Sequence, residues 1–585
     1  MTTFITGKDA ALEETIERFQ TQLQALGFNI DSIESASWHN PLPNVWSVQL
    51  RDIDAPMNVS NGKGTSQKAA LASALGDYLA RLATNDFYND YYLGEAIANG
   101  EFVHYPNEKW FPIDLEENLP PEDILDERLT QFYDPTLELL GTDLVDLQSS
   151  NMERGICTLP FERQSDKETI YMPVNIIGNL YASKGISTGN SRFDARTQAL
   201  TDIIERKIKS RVIDKKISLP EIPEPVLTRF AKIQGSIDAL KAKGFQIKSY
   251  DASLGGKYPV VCIALSNPDN SASFSSFGAH PCFEIAFERA ITELLQGQSL
   301  DELHVLLVHS ANASASNIDY APENQLAESA GLVSPTLFQP EPSFDFADWN
   351  INGTSEEHFN HLVGLLHAEG ADVYIADHDH LGVNCCRIIV PGWSEVAPVE
   401  DLIDANNNIA LELREVLLAL PAIEWDAEQY AEMFHIVEEE FDDNTLLHAM
   451  LGMAPDTGDA WQTLRVGELK CLIALAGGDL ELAQEYAQWS IGFNASAYSA
   501  DRANFFHCLV DSLKLALDEE HDPATLKAEF EREFGAETVA AAWGSIEGSV
   551  RFYGLAAGDL AMSQFPAHQK LLQSYHKLQT AKTQN

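Results

Sequence analysis

The sequence predicts an α/β (α+β) part over residues 1–404 and an all-helical part over 405–585. Three observations lead there. The chain has 585 residues, more than one hydrophobic core supports. Strand-like alternation recurs between helical periods as far as about residue 390, then stops. Beyond 405, apolar residues recur at helical spacing to the last segment.

Residues 9–26 place Leu12, Ile16, Phe19, Leu23 and Leu26 on one helix face, and Gly27 stops it. Strands are expected at 46–50 and 57–60. A turn follows at Asn61-Gly62-Lys63-Gly64-Thr65, then a helix over about 66–83. Residues 84–165, rich in aromatics, prolines and acids, read as irregular structure with short elements. Further strands are expected at 170–175, 246–250, 260–265, 271–277, 373–376 and 387–390, with helices at 192–213 and 282–296. The stretch 310–345 reads as a surface excursion. In the last part, Leu464 to Leu475 leads through Gly477-Gly478-Asp479 to a second helix carrying Leu480, Ala483, Tyr486 and Ala487. This hairpin is tetratricopeptide-like, without a clean 34-residue repeat.

Composition narrows the function. The chain is 45% apolar and carries 88 acidic against 39 basic residues, a net charge of −49. Such a surface repels phosphate backbones and anionic lipid, so no direct nucleic-acid binding is expected. No apolar run reaches the roughly 18 residues of a membrane span. The start lacks the basic-then-apolar order of a signal peptide, so a cytoplasmic protein is expected. The seven cysteines are scattered without C-x-x-C spacing, which suggests neither a disulfide framework nor a zinc knuckle.

Three helices of the first part carry polar faces. Ser73, Asp77 and Arg81 are spaced i, i+4, i+8, off the stripe of Leu71, Leu75, Leu79 and Leu82. Asp194, Gln198, Asp202 and Glu205 share a face, with Arg206 beside them. Arg289 and Glu293 lie one turn apart, with Phe287, Ile291, Leu294 and Leu295 facing the core. Taken singly, each is an ordinary solvated face whose pairs are worth about 0.2–0.5 kcal/mol. Converging, they would suit a nucleotide: Mg²⁺ takes a few carboxylates plus phosphate oxygens, and arginine forks grip phosphate. Gly62-Lys63-Gly64 falls short of a phosphate-binding P-loop.

In this order and separation the helices resemble the ATP-binding signature of the YcaO family. That signature is S-x-x-x-E-x-x-E, then E followed by E-x-x-E-R, then R-x-x-x-E. Gly62-Lys63-Gly64, Ser183-Lys184-Gly185, Gly189-Asn190, Phe277-Gly278-Ala279-His280-Pro281 and Arg387-Ile388-Ile389-Val390-Pro391-Gly392 support the likeness, which covers roughly residues 1–400. It implies that ATP and Mg²⁺ lie against these helices. The ATP-site residues it implies are Lys8, Thr15, Ser73, Asp77, Asn190, Asp194, Asp202, Glu205, Arg206, Arg289 and Glu293. Lys8 and Thr15 rest on the similar start of stand-alone members. Asp77, Asp202, Glu205 and Glu293 are the implied metal ligands, and no catalytic residue is assigned.

Catalytic members add a nucleophile to a peptide amide and use ATP to phosphorylate the former amide oxygen. The helical second part is similar to stand-alone proteobacterial members, which implies an accessory role in β-methylthiolation of a small-subunit ribosomal protein. A methylthiotransferase and that ribosomal protein are then the expected partners, with a homodimer as the expected assembly. The terminal Thr580-Ala581-Lys582-Thr583-Gln584-Asn585 lacks the proline-rich tail of azoline-forming members, which argues against peptide cyclisation. The chain also departs from the pattern. Asp77, Asp194 and Asp202 stand where glutamate is usual, one methylene shorter. Ala80 replaces a second glutamate, and Lys184 replaces an asparagine. One metal fewer, weaker ATP affinity or lost turnover would each follow. An ATP-hydrolysing amide-activating enzyme and a non-catalytic scaffold therefore both stay open.

Three other groupings read as structural. Asp377-His378-Asp379-His380 reads as a turn with two solvated histidines. Cys385-Cys386 reads as a half-buried pair on a strand. Glu438-Glu439-Glu440 is expected to be a solvated acidic run.

Overall fold

The computed structural model describes residues 3–5, 7–31, 38–178, 185–266, 273–312, 330–395, 408–518 and 526–583. The first part holds three sheets, and every described pairing is antiparallel, so the fold is α+β in the strict sense. In the first sheet, β1 (Ile30–Asp31), β2 (His39–Leu42) and β4 (Val59–Gly64) all pair with β3 (Val45–Asp52). The second runs β5 (Lys109–Phe111), β6 (Ile156–Arg163), β13 (Tyr374–Asp377), β14 (Asn384–Ile389), β8 (Ile186–Gly189), with β7 (Thr169–Pro173) on β6. The third runs β12 (Ala330–Val333), β11 (Ser273–Ala279), β10 (Val260–Ser266), β9 (Gln246–Asp251).

Four helices build the site: α1 (Leu12–Ala25), α2 (Gln67–Ala83), α3 (Arg192–Asp214) and α4 (Phe283–Leu294). Three of them lie on strands at glycine contacts. A Cβ at Gly62 would stand 2.2 Å from the Ala70 carbonyl oxygen on α2. One at Gly189 would stand 2.2 Å from the Ala195 nitrogen on α3, and one at Gly278 2.2 Å from the Ala286 oxygen on α4. Glycine is required there because backbone meets backbone. The same contact corrects the expected turn at 61–65. Strand β4 runs through Asn61, Gly62, Lys63 and Gly64, each paired with β3, because α2 presses on its glycines.

Other expectations need smaller changes. The irregular reading of 84–165 missed β5 and β6. Helices Ala231–Ala242, Leu300–Asn312 and Ser355–Ala368 were also not expected, although Thr354 and Glu357 form a capping box for the last. Within the expected excursion, β12 completes the third sheet, and 313–329 lie outside the described residues. So does the expected boundary at 404/405.

After residue 408 the described elements are helical, with Gly478 left-handed (φ 80°) at the turn between Val466–Gly477 and Leu480–Asn494. The core of this part, around Trp461, Phe505 and Phe506, also takes in Tyr92 of the first part. Its last helix, α5 (Pro566–Thr583), does not stay there. Leu571, Tyr575 and Leu578 enter the core that also holds Phe19 of α1 and Leu75 and Leu79 of α2. No described helix is long and apolar enough to cross a membrane.

Candidate functional site

Helix α2 starts at Ser66, whose side chain accepts the Ala69 N–H at 3.2 Å. Helix α3 starts at Ser191, which accepts the Asp194 N–H at 3.1 Å. These caps fix the phase of both helices, so Ser73, Asp77, Ala80 and Arg81 and then Asp194, Gln198, Asp202 and Arg206 open on one cleft. Glu288, Arg289, Thr292 and Glu293 of α4 close it, with Thr15 of α1, Lys8, Lys63 of β4 and Asn190. The cavity volume is about 510 Å³. The three polar faces therefore converge.

The lining carries five acids (Asp77, Asp194, Asp202, Glu288, Glu293) and five bases (Lys8, Lys63, Arg81, Arg206, Arg289). In a chain of net charge −49 the cleft is formally neutral. Lys8 Nζ meets Asp194 Oδ1 at 2.9 Å, Arg81 Nε meets Asp77 Oδ2 at 2.9 Å, and Lys63 pairs with Glu293. Arg206 stands 3.8 Å from Asp202, one turn away on α3. Asn190 donates its backbone N–H to Asp194 at 3.0 Å and accepts the Thr15 hydroxyl at 2.9 Å, tying the mouth of α3 to α1.

Glu205 departs from its expected position. It is buried behind the lining, accepts the Ala279 N–H at 3.0 Å and lies 3.8 Å from Arg289. Arg289 reaches past it to donate to Thr201 at 2.8 Å. Burial pushes the Glu205 carboxyl up to about 7, Arg289 and Lys63 pull it back, and Glu293 pushes it further. Nearby His280 is held neutral, well below the usual imidazole range, by burial and then by Arg289. Its Nδ1 accepts the Cys282 N–H at 3.0 Å.

Ten of the eleven expected site residues thus line one cavity. Lys63, Arg81 and Gln198 line it too and were left out of the expected set, although the helical spacing already put Arg81 and Gln198 on the right faces. Arg18 was missed outright. It donates to Asn190 Oδ1 at 2.8 Å, and its place three residues after Thr15 on α1 was the signal. Ser183 and Lys184 lie outside the described residues. Among the described residues no three His, Cys, Asp or Glu side chains converge as a metal group. The donor set still suits Mg²⁺, which takes a few carboxylate oxygens and completes its shell with water and phosphate.

A profile described as YcaO cyclodehydratase, ATP- and Mg²⁺-binding, matches residues 61–394, and one described as the YcaO cyclodehydratase C-terminal domain matches 410–584. The chain belongs to the YcaO family. It is 51% identical over 585 residues to the ribosomal protein S12 methylthiotransferase accessory factor YcaO of Escherichia coli K12, covering 99% of this chain and 98% of that protein. An uncharacterized protein of Haemophilus influenzae is 49% identical over 589 residues, covering 100% and 99%. Among solved structures, a heterocyclase in complex with substrate and cofactor shares 16% identity (TM-score 0.43; 66% of this chain, 53% of that one). YcaO from Methanopyrus kandleri bound with AMPPCP and Mg²⁺ also shares 16% (TM-score 0.41; 65% and 91%). ATP and Mg²⁺ are the cofactors of the YcaO domain that makes up the first part.

The histidine turn needs correction. His378 is buried and stacks on Tyr105 with ring centroids 4.7 Å apart, and His380 is half-buried beside them. Burial holds both imidazoles neutral, pushing His378 down to about 3 and His380 to about 2. The helical part supplies the cover: α5 lays Lys582 over Tyr105 at 4.0 Å. Cys385 and Cys386 are fully buried rather than half-buried, one in the core with α2 and the other in the core with α3, and all seven cysteines are free.

Proposed function

We propose that the cleft binds ATP with Mg²⁺ through the paired charges of its lining, and that the protein is an accessory factor in β-methylthiolation of a small-subunit ribosomal protein. One observation carries the nucleotide reading: five bases and five carboxylates from separate segments face one cavity, most of them already paired. Lys8, Lys63, Arg206 and Arg289 would turn to phosphate oxygens. Asp77, Asp202 and Glu293 would turn to the metal, each acid exchanging its lysine or arginine for the ion. Glu205 would act from behind, holding Arg289. ATP, when bound, supplies the phosphoryl group that makes an amide oxygen a leaving group. Lys8, Lys63 and Arg289 would neutralise the charge that develops on that group.

The accessory role rests on the name of the E. coli relative and on near-complete coverage of both chains. It brings a methylthiotransferase and ribosomal protein S12 as partners. The helical part then serves partner binding or self-association as a cytoplasmic homodimer. Ala80 favours a second reading, a scaffold that keeps the fold but has lost turnover, because a methyl stands in the lining where the family pattern has a carboxylate. Calorimetric titration with ATP, with and without Mg²⁺, tests the nucleotide reading. Saturable binding strengthened by Mg²⁺ supports it; no saturable binding at millimolar ATP sinks it. ADP release in the same solutions separates an enzyme from a scaffold.

A further inference from the structure

Helix α2 lies between the cleft and α5. One face carries Ser73, Asp77 and Arg81. Its buried residues Leu75 and Leu79 share a core with Tyr575 and Leu578 of α5. Just after α2, two consecutive residues divide between these sides. Asp86 is buried and takes Arg81 Nη1 at 2.8 Å, while Arg81 Nε holds Asp77 at 2.9 Å; Arg387 stands 4.0 Å from the other Asp86 oxygen. Asn85 turns the other way. Its side chain donates to Tyr575 Oη at 3.3 Å and accepts from Lys582 Nζ. Lys582 also donates to the His104 carbonyl at 2.7 Å, and Tyr575 to the Val103 carbonyl at 2.7 Å. Asn85 is left-handed, with φ 59°, a state asparagine adopts more readily than other non-glycine residues, and α5 holds both ends of its side-chain amide.

We propose that Lys582 and Tyr575 are positioning residues for the nucleotide cleft, acting through Asn85 and Asp86 on Arg81. This rests on the nucleotide reading above. With Asn85 pinned by α5, the peptide into Asp86 has one orientation, and Asp86 holds one end of the Arg81 guanidinium. Arg81 is then shared between Asp86 and Asp77, so Asp77 holds it less exclusively and can exchange it for a metal. If the pin is lost, Asp86 is freed to leave Arg81, Arg81 pairs with Asp77 alone, and Asp77 exchanges it for the metal less readily. A helix of the second part thereby tunes an ATP site in the first. A partner that grips α5 would be felt in the cleft.

The full chain carries the test. Magnesium-ATP affinity and melting temperature are measured for wild type, Lys582→Met, Lys582→Arg, Tyr575→Phe and Ser574→Ala. Ser574 is the control: it sits on α5 and bonds Tyr88 at 2.8 Å and Asn58 at 3.2 Å, not Asn85. The expected result is an affinity loss of about three- to thirtyfold for Lys582→Met. Tyr575→Phe gives a smaller loss, Lys582→Arg partial rescue, and Ser574→Ala no change. Lys582→Met adds nothing further in an Asp86→Asn background. Should Lys582→Met not fold, Tyr575→Phe, which removes only a hydroxyl, carries the comparison. Unchanged affinity in folded Lys582→Met or Tyr575→Phe, or an equal loss in Ser574→Ala, overturns the relay alone. Absence of ATP binding by wild type overturns both the relay and the nucleotide reading.

Discussion

Buried charge is handled in opposite ways in the two parts of this molecule. In the helical part, Glu468 is fully buried and accepts Arg502 Nε at 2.8 Å, Asn494 at 3.1 Å and Tyr498 at 2.8 Å. Its oxygens are occupied from several sides. In the cleft, Lys8–Asp194, Lys63–Glu293 and Arg81–Asp77 are pairs that face open volume. A saturated pair is a structural joint. A pair on a cavity wall can exchange its partner for a ligand, and its charges are already matched before the ligand arrives.

Breaking the closed pair should have the largest effect. Glu468→Ala leaves Arg502 buried without its carboxylate and should cost about 3–5 kcal/mol of stability. Chemical denaturation reads that loss, while ATP affinity at a temperature where the variant is folded stays unchanged. His568 sharpens the same contrast through pH. Its Nδ1 accepts the Ala454 N–H at 3.1 Å, so Nε2 carries the proton and donates to the Tyr92 carbonyl at 3.0 Å. Burial pushes its pKa down to about 4. Between pH 6.5 and 4 the unfolded chain binds a proton that the folded chain refuses. Stability from this group is complete above about 6.5 and falls as pH falls through that window, by about 2–3 kcal/mol at the acid end. Denaturation midpoints at pH 7 and 4.5 should diverge less in His568→Gln than in wild type.

The cleft should respond in affinity instead. Arg289→Ala is expected to weaken magnesium-ATP by about 1.5–3 kcal/mol, a charge-assisted hydrogen bond lost in a partly dry site. Calorimetry reads it, and a loss of stability with unchanged affinity would move Arg289 into the structural class. Lys8→Ala should do least, about 0.2–1 kcal/mol of affinity, because the lysine is a third exposed and salt screens it. That loss should shrink as ionic strength rises.

Much of this is legible in the sequence. Helical spacing on α2, α3 and α4 put the right residues on the right faces, because a helix in isolation already fixes which side chains share a side. Caps at Ser66 and Ser191 set where the phase begins. What escaped were facts made by distant contacts. Gly62 and Gly64 look like a turn until α2 is seen lying on them. Glu205 belongs to the same periodic face as Asp202, yet the Ala279 N–H and Arg289 draw it behind the wall. His378 and His380 look solvated until α5 covers them from some 200 residues away. No local pattern announces that Tyr575 and Lys582 close the first part's core.

The most direct test is a structure of the full chain with ATP and Mg²⁺ bound. Phosphate oxygens should lie on Lys8, Lys63 and Arg289, with Mg²⁺ on Asp77, Asp202 or Glu293 and the Lys63–Glu293 and Lys8–Asp194 pairs opened. Nucleotide bound elsewhere, or bound in the cleft with those pairs intact, would contradict a site built on exchangeable charge.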